Sequence, residues 1–98
     1  MNANDLARSA EAGGDPPAGL TDAVQAMWLA RAGRWDDAHD LCQRVAGPDG
    51  AWVHAYLHRV EGNLGNAGYW YDIAGKPQPQ GQHGLEEEWQ SMVEQMLA

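Results

Sequence analysis

The chain has 98 residues, including 14 acidic and 6 basic side chains and a single cysteine, Cys42, and its formal net charge is −8. This length fits one domain. We expect this acidic protein to bind neither nucleic acid nor an anionic membrane surface, because phosphate contacts require clustered lysine and arginine. A lone cysteine excludes an internal disulfide and favours a reducing, cytoplasmic compartment. The N-terminus lacks the pattern of a secretion signal, and no segment approaches the roughly 20 apolar residues of a membrane span.

Residues 1–19 are predicted to form a flexible N-terminal arm, and residues 20–98 a single all-helical domain. The arm is weakly apolar, and the glycine and proline residues of the segment 13–17 (GGDPP) break any helix. A short helical stretch is predicted only near residues 5–11 of the arm.

The first helix of the domain is predicted to begin at Thr21, a good N-cap residue, and to end at Gly33. A second helix begins near Trp35, and the short turn between the two makes them antiparallel neighbours. Cys42 lies on the predicted inner face of the second helix, where we interpret it as a small buried hydrophobic residue.

A second pair of helices follows, and it precedes a final amphipathic helix. The spacing of apolar residues predicts a helix over residues 51–61, with Asp49 as its cap. Asn66 is interpreted as the N-cap of the next helix. The last helix is predicted over residues 85–97, and its first-turn acids, residues 86–88, are interpreted as a solvated face that the helix dipole favours.

The two helix pairs share an internal repeat. Gly33 precedes Ala38 by five residues, and Gly62 precedes Ala67 by the same interval, 29 residues further along the chain. Glycine ends a helix in a backbone conformation that other residues adopt only at a cost. The alanine then allows the second helix of each pair to approach the first closely.

This repeat resembles tetratricopeptide helical hairpins, in which a glycine closes the first helix and small residues line the second. The matching residues are Gly33, Ala38 and Cys42 in the first hairpin, and Gly62, Ala67, Tyr71, Ala74 and Pro79 in the second. The offset departs from the family pattern, because it is shorter than the usual repeat of about 34 residues. Val45 stands where a small residue is expected, and the large apolar residue and glycine expected as a pair in the first helix of each hairpin are missing. The resemblance implies an all-α fold of two antiparallel helical hairpins plus a C-terminal capping helix. The run HAYLHRVEGNLGNAGYWYDIAG also resembles a family of short uncharacterised bacterial and fungal proteins, which implies no activity.

The sharpest candidate site is formed by His54, His58 and Glu61, whose spacings of four and three residues place them on one stripe of a helix. Two histidines and a carboxylate are a workable ligand set for zinc or non-haem iron. A fourth ligand would come from elsewhere, such as His39 or Asp40. The alternative is that these polar residues flank a buried stripe and form hydrogen bonds to the next helix.

A second candidate is a surface for a partner. Tyr69, Trp70 and Tyr71 cannot share one core face, because successive helical residues diverge by about 100°. We expect Trp70 and Tyr71 to pack inward and Tyr69 to reach a surface. Arg59 is predicted either to bind an anion, to stack on a tryptophan or to form an ion pair.

We therefore expect a non-enzymatic protein or peptide interaction module, since no catalytic set is visible. The expected partner surface comprises His54, His58, Arg59, Glu61, Tyr69 and Trp70. The alternative is a protein that binds a divalent metal, or a small anionic ligand, through the stripe of His54, His58 and Glu61. A further alternative is a homodimer formed through Met92 and Met96 of the last helix.

Overall fold

The computed structural model describes residues 1–98 and contains six α-helices and no strands. The helices are α1 (Ala3–Ala12), α2 (Asp22–Arg31), α3 (Trp35–Cys42), α4 (Pro48–Val60), α5 (Leu64–Ala74) and α6 (Leu85–Leu97). The predicted all-α class is confirmed. None of the helices is long and apolar enough to cross a lipid bilayer.

Helix α4 lies at the centre of the protein and is buried on every side from Gly50 to Arg59. It packs against α2, α3, α5 and α6. A side chain at Gly50 would overlap the carbonyl oxygen of Val45, so glycine permits the chain to approach the first turn of α4 closely. The polar residues of this helix are therefore placed inside the protein and must find partners there.

The helix pairs α2–α3 and α4–α5 are joined by turns of the same design. Gly33 and Gly62 have positive φ angles of 80° and 85°. In each turn the amide of the residue after the glycine donates to a carbonyl five residues back, from Arg34 to Leu29 and from Asn63 to His58. The predicted repeat of glycine-closed turns thus has a common local structure in the two hairpins.

Helix α1 contains the short helical stretch predicted near residues 5–11, and it packs on the rest of the protein, which was not expected of a flexible arm. Asn2 and Asp5 form a capping box at its start, and Leu6 is fully buried. The helix packs against α2 and α6, and Trp28 donates its indole N–H to Ser9 across the contact at 3.1 Å. Residues 3–12 therefore belong to the folded domain, because a narrow stripe of alanines around Leu6 suffices to seat the helix on its neighbours.

Helix α6 contacts the end of the second hairpin through Glu88, and it also packs on helices outside that hairpin, which was not expected. It packs against α1, α2 and α4, and its Trp89 is fully buried, with the indole N–H donating to the Met27 carbonyl at 2.8 Å. Met92 and Val93 are also fully buried in the same contact. The stripe expected to form a homodimer is thus already used within the chain, and only Met96 of the expected pair is partly exposed.

Two helix starts also differ from the sequence-based expectation. Helix α4 begins at Pro48 rather than at residue 51, because proline suits the first turn, where its missing N–H costs no hydrogen bond. Helix α5 begins at Leu64, and its cap is Asn63, whose side chain accepts a hydrogen bond from the Asn66 amide at 3.3 Å. Asn66 is therefore a residue of the first turn, and its side chain is free to point towards α4.

Candidate metal centre

Three histidines from two helices converge beside α5. His39 lies on α3, and His54 and His58 lie one turn apart on α4. One ring nitrogen from each lies within 4.8 Å of the others. We call these three residues the histidine cluster. The structure thus brings the predicted pair on α4 together with His39, which was expected only as an optional fourth ligand.

His39 connects the two helices of the cluster. Its Nε2 lies 3.0 Å from His54 Nε2, and its Nδ1 lies 2.8 Å from the side-chain nitrogen of Gln43. Gln43 follows His39 by four residues, so the two side chains meet just beyond the end of α3. Gln43 was not among the predicted site residues, although its spacing of four residues from His39 is a usable signal.

His58 is held from both sides. Its Nδ1 lies 2.7 Å from Glu61 Oε1, and its Nε2 lies 3.3 Å from the side-chain nitrogen of Asn66. The three side chains whose ring nitrogens converge are His39, His54 and His58. Glu61, which was expected as a ligand beside His54 and His58, contacts this group through His58 Nδ1.

Aromatic rings enclose the histidine cluster. Trp35 stacks on His39 with ring centroids 4.8 Å apart, and Trp70 stacks on His54 at 4.0 Å. His54 and His58 are almost entirely buried. Burial, followed by the neighbouring His39 and His58, lowers the pKa of His54 to about 4. The His54 ring is thus neutral at neutral pH, with one nitrogen lone pair available.

Arg59 is not on the surface where a ligand or partner was expected to meet it. Its side chain is fully buried, with Nη1 2.8 Å from Glu88 Oε1 and Nε donating to the Gly81 carbonyl at 3.0 Å. Its Nη2 donates to the His83 carbonyl. The Tyr71 hydroxyl donates to the other Glu88 oxygen at 2.5 Å. We call Arg59, Glu88 and Tyr71 the arginine cluster.

The arginine cluster bears on two expectations. Of the three alternatives for Arg59, the structure has the ion pair, and its partner is Glu88. Glu88 is not part of a solvated face, because only 11% of its side chain is exposed. Each of the three guanidinium nitrogens of Arg59 has a protein acceptor, and the cluster joins α4, α5 and α6.

The remaining candidate residues divide between surface and core. Tyr69 is 61% exposed on α5, next to Ile73 at 51%, whereas Trp70 is partly buried and Tyr71 fully so. Cys42 is buried, as expected, and its thiol donates to the His39 carbonyl at 3.2 Å. Burial raises the pKa of the Cys42 thiol to about 11, which makes this residue unreactive. The structure contains no pocket.

Comparison with protein-family models, with curated proteins and with solved structures finds no match for the chain. The class of protein is therefore defined by its own fold and site. It is a small all-α protein in which three histidines, bounded by two tryptophans, converge on one point between α3 and α4.

Proposed function

We propose that this protein binds a divalent transition-metal ion through His39, His54 and His58. The observation that carries the proposal is the convergence of three ring nitrogens, from two helices, within 4.8 Å. Side chains that are 15 residues apart along the chain, such as His39 and His54, meet here only because α3 packs on α4.

The distances suit zinc and related ions. Nitrogen ligands at about 2.0–2.1 Å on a tetrahedral zinc ion lie roughly 3.3 Å from one another. The Nε2 atoms of His39 and His54 are already 3.0 Å apart. Imidazole is a preferred ligand of zinc, copper and nickel. Small rotations of the three side chains would bring all three nitrogens to one ion.

The surroundings support the same proposal. Metal-bound histidines commonly donate their second ring N–H to a carboxylate, which fixes the ring and raises its basicity. Glu61 stands in that relation to His58 at 2.7 Å. Three protein ligands leave the fourth position of a tetrahedral ion for water or another small ligand.

The test is a zinc titration of metal-free, untagged protein in competition with a chromophoric chelator. We expect one zinc ion per chain, and we expect His39→Ala, His54→Ala and His58→Ala each to weaken binding by more than about 100-fold, beyond the loss usual for outer-shell residues. The matched control is His83→Ala, because the fourth histidine has an exposed side chain outside the cluster. Absence of binding, or equal losses for all four variants, would contradict the proposal.

A second candidate function is a protein or peptide interaction module, which the tetratricopeptide-like hairpins also favour. The supporting observation is the exposed pair Tyr69 and Ile73, which lie one turn apart on the outer face of α5. Large exposed apolar side chains that lie side by side are typical of contact surfaces. A photo-crosslinking residue introduced at Tyr69, in cells, should then capture one discrete partner. The same probe at Asp15 is the control, and equal products from the two positions would contradict this candidate.

A cytoplasmic location, proposed from the lone buried Cys42, would be compatible with both functions.

A further inference from the structure

A series of aromatic rings connects the histidine cluster with the surface of the protein. Trp70 stacks on His54, with ring centroids 4.0 Å apart and planes that differ by 13°. Tyr69 meets Trp70 edge to face, with centroids 5.2 Å apart and planes at 89°. The Tyr69 side chain is 61% exposed, whereas His54 is almost entirely buried. Three rings in contact therefore lead from a buried imidazole to solvent, and we call Trp70 and Tyr69 the aromatic path.

The residue types of the aromatic path suit the transfer of single electrons. Tryptophan and tyrosine are the aromatic side chains that give up one electron most readily, and electrons pass fast between rings that touch. A tyrosine that loses an electron also loses its phenolic proton, which an exposed hydroxyl can give to water. The order along the path, with Trp70 inside and Tyr69 outside, therefore favours movement of an electron inward and of the oxidised site outward.

The ligand set of the histidine cluster favours a metal that can take part in such a transfer. The three converging ligand atoms are all imidazole nitrogens. The affinity of a given site for divalent ions rises from manganese to copper and falls again at zinc, and imidazole is a preferred ligand of copper. Copper alternates between two oxidation states, whereas zinc has no redox chemistry. Copper at the cluster is thus a redox centre in contact with the aromatic path.

We propose that the histidine cluster holds copper, and that the aromatic path supplies an electron when hydrogen peroxide is reduced there. This inference rests on the proposed function. Hydrogen peroxide takes one electron from a cuprous ion and one from Tyr69 by way of Trp70, and its O–O bond breaks. A cuprous ion, hydrogen peroxide and the Tyr69 phenol thereby give a cupric ion, hydroxide, water and the Tyr69 phenoxyl radical. The phenolic proton ends in the water that forms.

The consequence is protection of the metal ligands. Without the aromatic path, the second electron would come from the groups nearest to the ion, which are the imidazole rings of His39, His54 and His58. Oxidised histidine is a permanent loss of a ligand. A phenoxyl radical at the exposed Tyr69 can instead be reduced again by a small molecule such as ascorbate.

The test mixes anaerobic protein, loaded with one equivalent of cuprous ion, with one equivalent of hydrogen peroxide. Electron paramagnetic resonance of rapidly frozen samples should show a tyrosyl radical in the wild type. We expect Tyr69→Phe to abolish the radical, and Tyr69 is exposed, so this variant should fold. Trp70→Phe keeps a ring against His54 that is much harder to oxidise, and it should also lose the radical. Zinc-loaded protein treated with peroxide should show none.

A matched control separates the aromatic path from oxidants that diffuse through the solvent. The variant Tyr69→Phe/Asp15→Tyr carries an exposed phenol away from the path, since Asp15 is exposed between α1 and α2. A diffusing oxidant would reach this phenol as readily as Tyr69, whereas the path predicts no radical there. Mass spectrometry after repeated turnover should find more oxygen added to His54 and His58 in Tyr69→Phe than in the wild type.

The outcomes separate this inference from the proposed function. Copper that is lost on His58→Ala, together with equal radical yields from Tyr69 and from the phenol introduced at position 15, would overturn the path and leave the metal site intact. Absence of the Tyr69 radical in copper-loaded wild type would have the same meaning. Copper binding that is unchanged in His39→Ala, His54→Ala and His58→Ala would overturn both the metal site and the path.

Discussion

Helix α4 contributes to two buried polar clusters through adjacent residues, His58 to the histidine cluster and Arg59 to the arginine cluster. The two clusters differ in the groups that their polar atoms contact. In the arginine cluster each guanidinium nitrogen of Arg59 meets a carboxylate or a carbonyl oxygen, and the charge of Glu88 neutralises that of Arg59. In the histidine cluster the rings contact one another and two side-chain amides, and one carboxylate, that of Glu61, contacts His58. A buried ion pair holds no metal-ligand nitrogen, whereas three converging imidazole nitrogens are atoms that a metal ion can bind.

The largest expected effect lies in the arginine cluster. Arg59→Met leaves the mostly buried Glu88 carboxylate without its partner, and breaking a buried pair in this way costs about 3–5 kcal/mol of the free energy of unfolding. Chemical denaturation measures the loss. Arg34→Ala, at the exposed pair with Asp37, is the control and should cost less than about 1 kcal/mol.

The double variant Arg59→Met/Glu88→Gln sharpens this test. It removes both charges and keeps an acceptor for the Tyr71 hydroxyl, so it should recover part of the loss, since a buried ion pair is often replaceable by neutral groups. A cost for Arg59→Met no greater than that of Arg34→Ala would show that the arginine cluster does not hold α4, α5 and α6 together.

At the histidine cluster, we expect the folded protein to be stabilised by a bound ion rather than by contacts between its own side chains. Zinc at 100 times its dissociation constant should raise the free energy of unfolding by about 2.7 kcal/mol, because it binds the folded state. His58→Ala should abolish this increment, whereas Arg59→Met, if folded, should retain it. Unfolding is measured without zinc, with zinc, and again after a chelator has removed the zinc. The difference in the free energy of unfolding between these samples is the stabilisation by the ion. A stabilisation that survives His58→Ala would place the ion elsewhere.

The outer shell of the histidine cluster should show a smaller effect. Glu61→Gln replaces the acceptor of His58 Nδ1–H by a neutral amide and should weaken zinc binding by about 10- to 100-fold. The competition titration measures this change. Glu87→Gln, an exposed charge change on α6, is the control. Equal affinities for the two variants would remove Glu61 from the site.

The smallest expected effect is the pH dependence of stability that comes from two buried tyrosines, Tyr71 of the arginine cluster and Tyr56 on α4. Burial and the hydrogen bond to Glu88 raise the pKa of Tyr71, and burial raises the pKa of Tyr56 to about 12. The unfolded chain ionises its tyrosines near pH 10, before the folded protein does, so the free energy of unfolding should fall above about pH 10, by roughly 1 kcal/mol per pH unit for each group.

Tyrosinate absorbance during a pH titration checks this expectation. The two buried tyrosines should ionise well above pH 10, or only as the protein unfolds, and Tyr71→Phe should remove part of the delayed signal. Ionisation of both near their ordinary value in the folded protein would contradict the buried hydrogen bond between Tyr71 and Glu88.

Much of the fold could be predicted because its signals are local. Thr21, Gly33 and Gly62 mark helix ends by the conformations and hydrogen bonds that these residue types favour, and the structure has helix ends at or next to each of them. The helical stretch predicted near residues 5–11 lies within α1, but the packing of this helix on the domain was not predicted, because its short stripe of alanines is weakly apolar.

The candidate site was predictable only in part, because only some of its contacts lie between residues that are close along the chain. The spacing of His54 and His58 is a local signal, and it correctly placed both rings together. A spacing of three or four residues does not say which side chains converge on one point, so the sequence did not show that His39, rather than Glu61, completes the group of three. The partners of Arg59 lie 22 to 29 residues away along the chain, where helical periodicity carries no information.

The central claim is that the histidine cluster is a metal site, and its most direct test is the position of the ion. Crystals of zinc-loaded protein should show one anomalous peak per chain at the zinc absorption edge. The expected peak lies about 2.0–2.1 Å from one ring nitrogen of each of His39, His54 and His58. A peak bound only to surface carboxylates or to His83, with none among the three histidines, would contradict the claim.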